Sequence, residues 1–434
     1  MTHRSITWGK IKKGFLLLKS LVTQQNRKLF LHYLNRYLSE ITSQNASVIT
    51  RTSIQRFLLS AQAQHLFCRD RSGKPPSILF IFHELSLTGA PIVGVQLAQT
   101  LAKHYGLPPV ILALRDGPLK DVLERVGMTV IIDENYLSAQ RDLFCQELFC
   151  RHFDAIIVNS LASSIFLQNF ASHGLPMAWW IHESAEGFRY APPVFPRCFD
   201  MMRAVWWVSP NSEACGRRYV SEDKTAYLRY GVADRATTEK NAPLCSREIV
   251  FGLIGSFIRR KGQDILLSAL AQLSSPVLER IRVIIVGEPY DPDGNPDYTK
   301  DILVKMRKFS NIDYRGTMSN DDCLKLLASL DVLICPSTDD PMPVVVTEAL
   351  MCSKLCIISD AIGQAHLLNH EEAILIPAGS PEALADAITN IVNQPELIER
   401  FATPARAAYE RFFSIEQFEN NAIHLVDGLL NLKN

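Results

Sequence analysis

Two carboxylates, Asp340 and Glu348, stand eight residues apart just after the strand-like apolar run Val332–Cys335. Asp340 falls in a proline-rich turn, and Glu348 falls in the apolar stretch that follows. Carboxylate oxygens at such positions can accept hydrogen bonds from sugar hydroxyls. The spacing alone fits equally well a helix N-cap for Asp340 and a solvated helical side chain for Glu348. Both interpretations stay open at this point.

A helix is predicted to begin beside this turn, near residues 342–344, and to end by Ser353. Pro343 is the start signal, because proline suits the first turn of a helix. Backbone amides at a helix start lack partners within the helix and attract anions. The segment Pro343, Val344 and Val345 is therefore predicted to form a phosphate site next to the two carboxylates.

A basic loop follows the predicted strand Ile249–Ile254. Arg259, Arg260 and Lys261 lie at the carboxyl end of that strand, where doubly wound sheets bind their ligands. Their charges are placed where a diphosphate would lie. The alternative is a solvated basic turn, which is the commoner use of such residues.

Two further loops follow predicted strands, one with Gly89-Ala90 and one with His182. Gly89 lets the backbone approach a ligand closely, and Pro91 indicates a helix start beside it. The loop is not G-x-G-x-x-G, so dinucleotide binding is not supported. His182 directly follows the strand-like run Met177–Ile181. A lone histidine is more often a structural hydrogen-bonding group than a functional one.

No metal site is predicted from the sequence. The segment that starts at Asp291 resembles a calcium loop, but Pro296 stands where that loop needs glycine and Ile302 where it needs glutamate. We interpret it as a polar loop. The ten cysteines contain no C-x-x-C pair and no zinc spacing, and they are expected to be buried, reduced thiols of a cytosolic protein.

Apolar runs and helical segments alternate along two stretches of the chain, which predicts parallel sheets covered on both faces. The fold class is therefore α/β, with two doubly wound Rossmann-like domains facing a cleft. We predict a basic helical extension and linker at 1–75, an N-terminal domain at 76–240 and a C-terminal domain at 247–395. Helices at 396–434 are expected to pack back across the domains.

The composition indicates a globular chain. Its 434 residues are 47% hydrophobic and carry no net charge, which excludes collagen-like, low-complexity and disordered classes. No apolar run reaches the ~18 residues of a membrane span, and no signal peptide is expected. Residues 1–74 hold 13 Lys and Arg against two acidic residues. This segment is predicted to be a helical extension with a solvated basic face, and a surface resting on anionic lipid is the alternative.

Taken together, these segments resemble the GT-B glycosyltransferases of the large retaining family 4, the "glycosyl transferases group 1", over about residues 77–430. The family's E-x7-E motif matches Asp340 and Glu348, with aspartate in place of the first glutamate. The resemblance implies that Glu348 holds the nucleotide ribose and that Asp340 contacts the donor sugar. The shorter Asp340 side chain changes the reach toward that sugar by about one methylene.

The resemblance extends to the family's donor-phosphate loop, usually G-R-…-K-G, which falls on residues 255–262. Lys261 matches its lysine, whereas Ser256 replaces the usual arginine, so Arg259 or Arg260 would have to substitute. Lys261 and Arg260, with the helix amides near Val344, would then stabilise the leaving diphosphate without a metal ion.

Three other positions match the family as well. Gly89 and Ala90 correspond to its glycine-rich loop, near which sugar and acceptor meet, and His182 matches its N-domain histidine. Arg315 and Gly316 fall in the segment that borders the base.

The resemblance implies that a sugar moves from a nucleoside-diphosphate sugar to a glycan, lipid-linked or other acceptor with retention of configuration. It places the acceptor on the side of the domain at 76–240 and the donor in the domain at 247–395. No cofactor, metal or nucleic-acid partner is expected. Such an enzyme would serve polysaccharide biosynthesis for the cell envelope, in the cytoplasm or on the inner face of the membrane, with a peripheral contact through residues 1–70. Two alternatives stay open, a catalytically silent protein of this fold and a sugar-nucleotide epimerase.

Overall fold

A computed structural model of the chain describes residues 75–133, 149–150, 152–167, 174–236, 247–288 and 297–431. The predicted N-terminal helical extension, most of the linker around 234–248 and the polar loop at 291–296 lie outside these ranges. The structural statements below concern the described residues alone.

Seven strands form the first sheet. They are β1 (Ile78–Phe82), β2 (Val110–Ala113), β3 (Thr129–Ile132), β4 (Ala155–Asn159), β5 (Met177–Ile181), β6 (Ala204–Trp207) and β7 (Thr225–Tyr227). Their order across the sheet is β3-β2-β1-β4-β5-β6-β7. β1 runs parallel to both of its neighbours, with Leu79 beside Val110 and Ile78 beside Ala155. This order, which reverses direction beside the first strand, is that of a doubly wound sheet.

Six strands form the second sheet. They are β8 (Ile249–Ile254), β9 (Ile281–Val286), β10 (Ile312–Tyr314), β11 (Val332–Cys335), β12 (Leu355–Ser359) and β13 (Ile374–Ile376). Their order is β10-β9-β8-β11-β12-β13. β8 runs parallel to β9 and to β11, so the second sheet repeats the doubly wound order of the first. The predicted α/β architecture with two parallel sheets is confirmed.

Helices connect the strands, as the alternation predicts. They are Gly89–Tyr105, Leu119–Arg125, Ser164–Leu167, Ala185–Tyr190, Phe195–Cys198, Pro210–Gly216, Gln263–Leu270, Ser275–Leu278, Asp297–Met306, Asn320–Ser329, Val344–Met351, Pro381–Asn393, Glu396–Phe412 and Ile415–Leu430. The sequence analysis did not place β7, whose three residues are only partly buried and give almost no alternation. It also gave no bounds for Glu396–Phe412, in which Pro404 interrupts the usual helical signal.

The central strands are apolar along their whole length because helices cover both faces of a parallel sheet. Every residue of β1, β4, β5 and β12 is buried. In β5 the buried Trp179 and Trp180 donate their indole N–H groups to the backbone carbonyls of Ser160 and Leu228, each at 2.9 Å. The large rings can therefore be buried without leaving a polar atom unpaired.

The described residues fall into two compact units. One comprises the described residues from 75 to Trp179, with Pro192–Ala204 and the described residues from Val426 onward. The other comprises Trp180–Ala191 and Val205–Leu425. The domain boundaries expected from the sequence stay a prediction. Among the described helices, none combines the length and the apolar character that crossing a bilayer requires.

Candidate functional site

The basic loop between β8 and the helix Gln263–Leu270 is shaped by glycine. Arg259–Lys261 form a single 3-10 turn, and Gly262 closes it in the left-handed region with φ +75°. A Cβ atom at Gly262 would lie 2.5 Å from the carbonyl oxygen of Pro336, so a larger residue fits neither the backbone nor the space. The turn therefore fixes where the side chain of Lys261 leaves the backbone.

The side chain of Gln263 holds this loop in place through hydrogen bonds. Its side chain is buried, and its Nε2 donates to the carbonyl of Ser256 at 2.9 Å. Its Oε1 accepts from the hydroxyl of Tyr298 at 3.3 Å. The guanidinium of Arg259 lies over the ring of Tyr298, 5.1 Å from its centroid. Arg259, one of the three predicted cations, is thus held against an aromatic ring. Ser256 takes part through its backbone carbonyl, which accepts the hydrogen bond from Gln263.

Lys261 and Asp340 meet, although 79 positions separate them. Lys261 Nζ donates to Asp340 Oδ2 at 2.5 Å, and Arg260 Nη1 lies 3.4 Å from the same oxygen. The Asp340 side chain is only 7% exposed, so its charge is held by these two cations. The solvated-turn alternative is wrong for Lys261, because its ammonium group is engaged in a buried ion pair.

Asp340 does not cap a helix. The N-cap of the helix Val344–Met351 is Pro343, and no side chain caps it. The backbone of Asp340 instead forms an isolated parallel bridge with Ile362. The N-cap alternative for Asp340 is therefore wrong, and its carboxylate is free to serve the ion pair.

Arg260 joins a further segment of the same compact unit to this cluster. Its Nε lies 3.1 Å from Glu186 Oε2, and its Nη1 donates to the carbonyl of Asp339 at 3.0 Å. The backbone N–H of Glu186 in turn donates to Asp339 Oδ2 at 2.7 Å. Sequence reasoning missed Glu186 and Asp339, and no local pattern could have paired residues 153 positions apart.

Glu348 is buried on the helix Val344–Met351. Its side chain forms no hydrogen bond with any described residue, and the residue is 7% exposed. Burial raises the pKa of its carboxyl from 4.5 to about 7, and the charge of Arg235 opposes this rise. The solvated-helix alternative is wrong. A buried carboxyl without a partner is unusual in a folded protein and marks a place where a ligand can supply the missing hydrogen bonds.

Buried residues that the sequence analysis did not single out hold the start of the helix Val344–Met351 in place. Gln364 donates from Nε2 to the carbonyl of Pro343 at 2.8 Å and to Thr347 Oγ1 at 3.3 Å. Its Oε1 is buried and makes no hydrogen bond. At the neighbouring Gly363, a Cβ atom would lie 1.8 Å from the carbonyl oxygen of Pro341. Val344 and Val345, at the start of the helix, are partly exposed.

His182 is anchored by a tyrosine. Its Nδ1 lies 2.9 Å from the hydroxyl of Tyr230, and its ring lies 4.4 Å from that of Trp180. Burial raises the pKa of Tyr230 well above its usual value, and the charges of Glu183 and Asp340 add to this effect. The hydroxyl of Tyr230 is thus held in its neutral form beside His182. Tyr230 was missed because it follows β7, the strand that the sequence analysis did not place.

Arg315 and Gly316 lie after β10. Arg315 donates to Asp313 Oδ2 at 3.1 Å. Gly316 has φ +65°, and its carbonyl accepts from the N–H of Gly287 at 2.9 Å. A Cβ atom at Gly287 would lie 2.0 Å from the carbonyl oxygen of Gly255. The backbone of Gly316 is thus connected through Gly287 to the basic loop.

Gly89 and Ala90 belong to the other compact unit, where they begin the helix Gly89–Tyr105. No atom lies within 4 Å of a Cβ built on Gly89, so the backbone is open there. The carbonyl of Ala90 accepts from Asn159 Nδ2 at 2.9 Å. The roles of these residues stay predictions.

Family models match both halves of the chain. The model described as "Glycosyl transferases group 1" matches residues 234–408, and that described as "Glycosyl-transferase family 4" matches residues 74–224. The first match contains the basic loop, Asp340 and Glu348.

Individual relatives are distant. An uncharacterised glycosyltransferase of Methanocaldococcus jannaschii is 23% identical over 47% of this chain and 54% of its own length. The O-antigen chain mannosyltransferase C of Escherichia coli is 23% identical over 52% of this chain and 58% of its own length. The chain thus spans only about half the length of these curated relatives.

Solved structures share the fold. The Anabaena protein HepE, crystallised with UDP, superposes with a TM-score of 0.67 at 19% identity, over 81% of this chain and all of HepE. WaaG, a glycosyltransferase involved in lipopolysaccharide biosynthesis, superposes with a TM-score of 0.58 at 15% identity, over 81% of this chain and all of WaaG.

Proposed function

Because the chain belongs to the group 1 glycosyltransferases and has their GT-B fold, we propose that it transfers a sugar from a nucleoside-diphosphate sugar to a glycan, lipid-linked or other acceptor. The observation that carries this proposal is the contact between two segments of the chain that lie 79 positions apart. Lys261 reaches Asp340 at 2.5 Å, and the helix that follows Asp340 holds the buried, unpartnered Glu348.

The residues would divide the work as follows. Lys261 and Arg260, with the amides of Val344 and Val345, would neutralise the diphosphate as it leaves. The carboxylate of Glu348 would accept hydrogen bonds from ribose hydroxyls, and Asp340 would bind hydroxyls of the donor sugar. These groups are charged and fixed in advance, so we propose that the reaction needs neither a cofactor nor a metal ion.

In the proposed reaction the acceptor oxygen bonds to the anomeric carbon while the bond from that carbon to the phosphate oxygen breaks. The acceptor proton passes to an oxygen of the leaving phosphate on the same face of the sugar, which gives retention of configuration. His182, anchored by Tyr230 at 2.9 Å, would contact the sugar or the acceptor near this step.

A thermal-shift screen of nucleoside diphosphates and their sugars tests the proposal. A ligand that binds only the folded chain raises its melting temperature, and at 100 times its dissociation constant it adds about 2.7 kcal/mol of stability. HepE was crystallised with UDP and with UDP-glucose, so uridine nucleotides are the first candidates. The matching monophosphates are the control, because they lack the second phosphate that Lys261 would bind. A melting temperature that no diphosphate changes would contradict the proposal.

A catalytically silent binding protein is the second candidate. Ser256 stands where the family has arginine, and Arg260, a possible substitute, is already engaged by Glu186 and Asp339. Both facts weaken the diphosphate clamp. Binding of a diphosphate sugar in the screen, without release of free sugar or transfer from any donor in the panel, would favour this candidate.

We also propose that residues 1–70 contact the inner face of a membrane, which would bring the enzyme to a lipid-linked acceptor in the cytoplasm. The basic surplus of this segment supports the idea, since each Lys or Arg near an anionic bilayer adds about 1 kcal/mol. The full chain should bind phosphatidylserine vesicles at low salt. It should dissociate from them at high salt, because salt screens the attraction between the basic side chains and the anionic lipid. A chain without residues 1–70 that binds vesicles equally well would disprove the contact.

A further inference from the structure

A cavity of about 440 Å³ lies between the end of β7 and the last two helices, Glu396–Phe412 and Ile415–Leu430. Tyr227 and Arg229 line it from the strand side. None of the residues assigned to the donor lines it. Its volume falls in the range of small-molecule sites.

Arg229 is the residue of this cavity whose unsatisfied hydrogen-bond donor indicates a ligand. Its Nε is buried without a hydrogen bond, and its side chain forms no hydrogen bond or ion pair with any described residue. Its guanidinium lies over the ring of Tyr227, 5.0 Å from the centroid, and this ring cannot satisfy five N–H donors. Burial lowers the pKa of Arg229, as expected for a cation without a counter-charge.

Nearby carboxylates do not meet this need. Glu372 accepts from Arg411, the second arginine of the cavity, at 2.6 Å. Glu213 accepts from the hydroxyl of Tyr227. A partly buried, unpaired guanidinium is costly for the fold, and a bound anion would remove that cost. The preferred partners of a guanidinium are carboxylates and phosphates, which it binds through two parallel hydrogen bonds.

The remaining lining has the chemistry of a sugar site. Gln417 and Asn420 present carboxamides, which can both donate to and accept from hydroxyl groups. Asn421 also lines the cavity, and its Nδ2 donates to the carbonyl of Tyr227 at 2.8 Å. Phe412 is partly exposed and adds aromatic surface against which the apolar face of a sugar ring can pack, whereas Phe418 is buried against Trp180. A bare inorganic anion would use the arginine but none of these groups.

We propose that this cavity binds a carbohydrate that carries a carboxylate or a phosphate, with Arg229 as the group that holds the anion. This acidic sugar would be part of the acceptor or product glycan, a role that rests on the proposed function. Its anion would then bind next to the residue that contacts His182. Arg229 directly precedes Tyr230, whose hydroxyl is 2.9 Å from His182. An occupied cavity would therefore fix the backbone from which Tyr230 positions His182.

Saturation-transfer NMR on the full chain tests this inference with four probes: glucuronate, glucose 6-phosphate, glucose and inorganic phosphate. We expect at least one acidic sugar to bind the wild type about tenfold more tightly than glucose and than phosphate. The tighter of the two acidic sugars identifies the anion. Arg229→Gln should weaken that binding about tenfold. It should not lower the melting temperature, since it removes a buried unpaired charge.

The matched control is Arg218→Gln. Arg218 also lies over a tyrosine ring, that of Tyr219 at 4.7 Å, but it is exposed and does not line the cavity. This variant should bind like the wild type. If Arg229→Gln fails to fold, Asn420→Ala on the exposed side of the last helix tests the same cavity, with an expected loss of about threefold.

Equal binding by the wild type and Arg229→Gln would overturn the inference. So would equal binding of phosphate or glucose and the acidic sugars, or no binding of either acidic sugar. Nucleoside diphosphate binding is measured on the same samples. If the diphosphate binds and neither acidic sugar does, the inference fails and the proposed function stands. If an acidic sugar binds and no nucleoside diphosphate does, the proposed function fails instead.

Discussion

Replacing Lys261 with alanine should lower turnover of the donor by about 10²–10³-fold, because it removes the cation closest to the leaving diphosphate in the proposed site. The same change leaves Asp340, which is 7% exposed, with Arg260 at 3.4 Å as its remaining cation. Breaking a buried ion pair from one side typically costs about 3–5 kcal/mol, so the variant should also be less stable. Steady-state kinetics and urea unfolding measure the two effects separately.

The double variant Lys261→Ala/Asp340→Asn separates the catalytic effect from the structural one. Removing the Asp340 charge, which then has only Arg260 as a partner at 3.4 Å, should restore part of the lost stability but none of the lost turnover. Lys325→Ala is the control, because Lys325 forms only an exposed pair with Asp322 at 3.3 Å and should leave both quantities unchanged. Turnover by Lys261→Ala close to that of the wild type would remove Lys261 from the proposed site.

Replacing Glu348 with glutamine should change how stability and nucleotide binding depend on pH. The pKa of the Glu348 carboxyl is 4.5 when it is exposed to water, as in the unfolded chain, and about 7 in the folded chain. The folded chain therefore holds the proton more tightly. Stability from this group is therefore full below about pH 4.5 and is lost as the pH rises through about 7. The loss corresponds to about 3 kcal/mol. Glu348→Gln cannot titrate, so it should exceed the wild type in stability by about this amount at pH 8.

Nucleotide binding should follow the opposite trend. The proposed ribose hydroxyls donate to the carboxylate form of Glu348, so wild-type affinity should fall by up to about tenfold for each pH unit below 7. The β-phosphate of the nucleotide titrates in both proteins. The difference between wild type and Glu348→Gln therefore isolates Glu348.

Glu399→Gln, on the exposed face of the helix Glu396–Phe412, is the matched control and should behave like the wild type. The measurements are urea unfolding and isothermal titration between pH 5 and pH 8. Parallel curves for the wild type and Glu348→Gln would show that the buried carboxyl neither titrates near neutral pH nor holds the ribose.

The sequence by itself determined most of the strands and helices and the presence of two parallel sheets. Runs such as Ile249–Ile254 and Val332–Cys335 are apolar at every or nearly every residue, because both faces of a parallel strand are covered. The helix after each strand carries the chain back across the sheet, so the next strand runs parallel to the first. The carboxyl ends of the strands therefore lie along the same edge. Lys261, after β8, meets Asp340, after β11, because β8 and β11 are neighbours in the second sheet, an adjacency that the sequence did not predict.

The tertiary structure alone decided which groups are partners and which are not. Asp340 as a helix cap and Glu348 as a solvated side chain were reasonable from spacing. The helix instead begins at Pro343 without a side-chain cap, and Glu348 is buried. The contact of Arg260 with Glu186, the anchoring of His182 by Tyr230 and the unpaired guanidinium of Arg229 had no signal in the sequence. Local patterns report periodicity over a few residues, whereas burial and hydrogen bonding depend on elements that the fold brings together from distant parts of the chain.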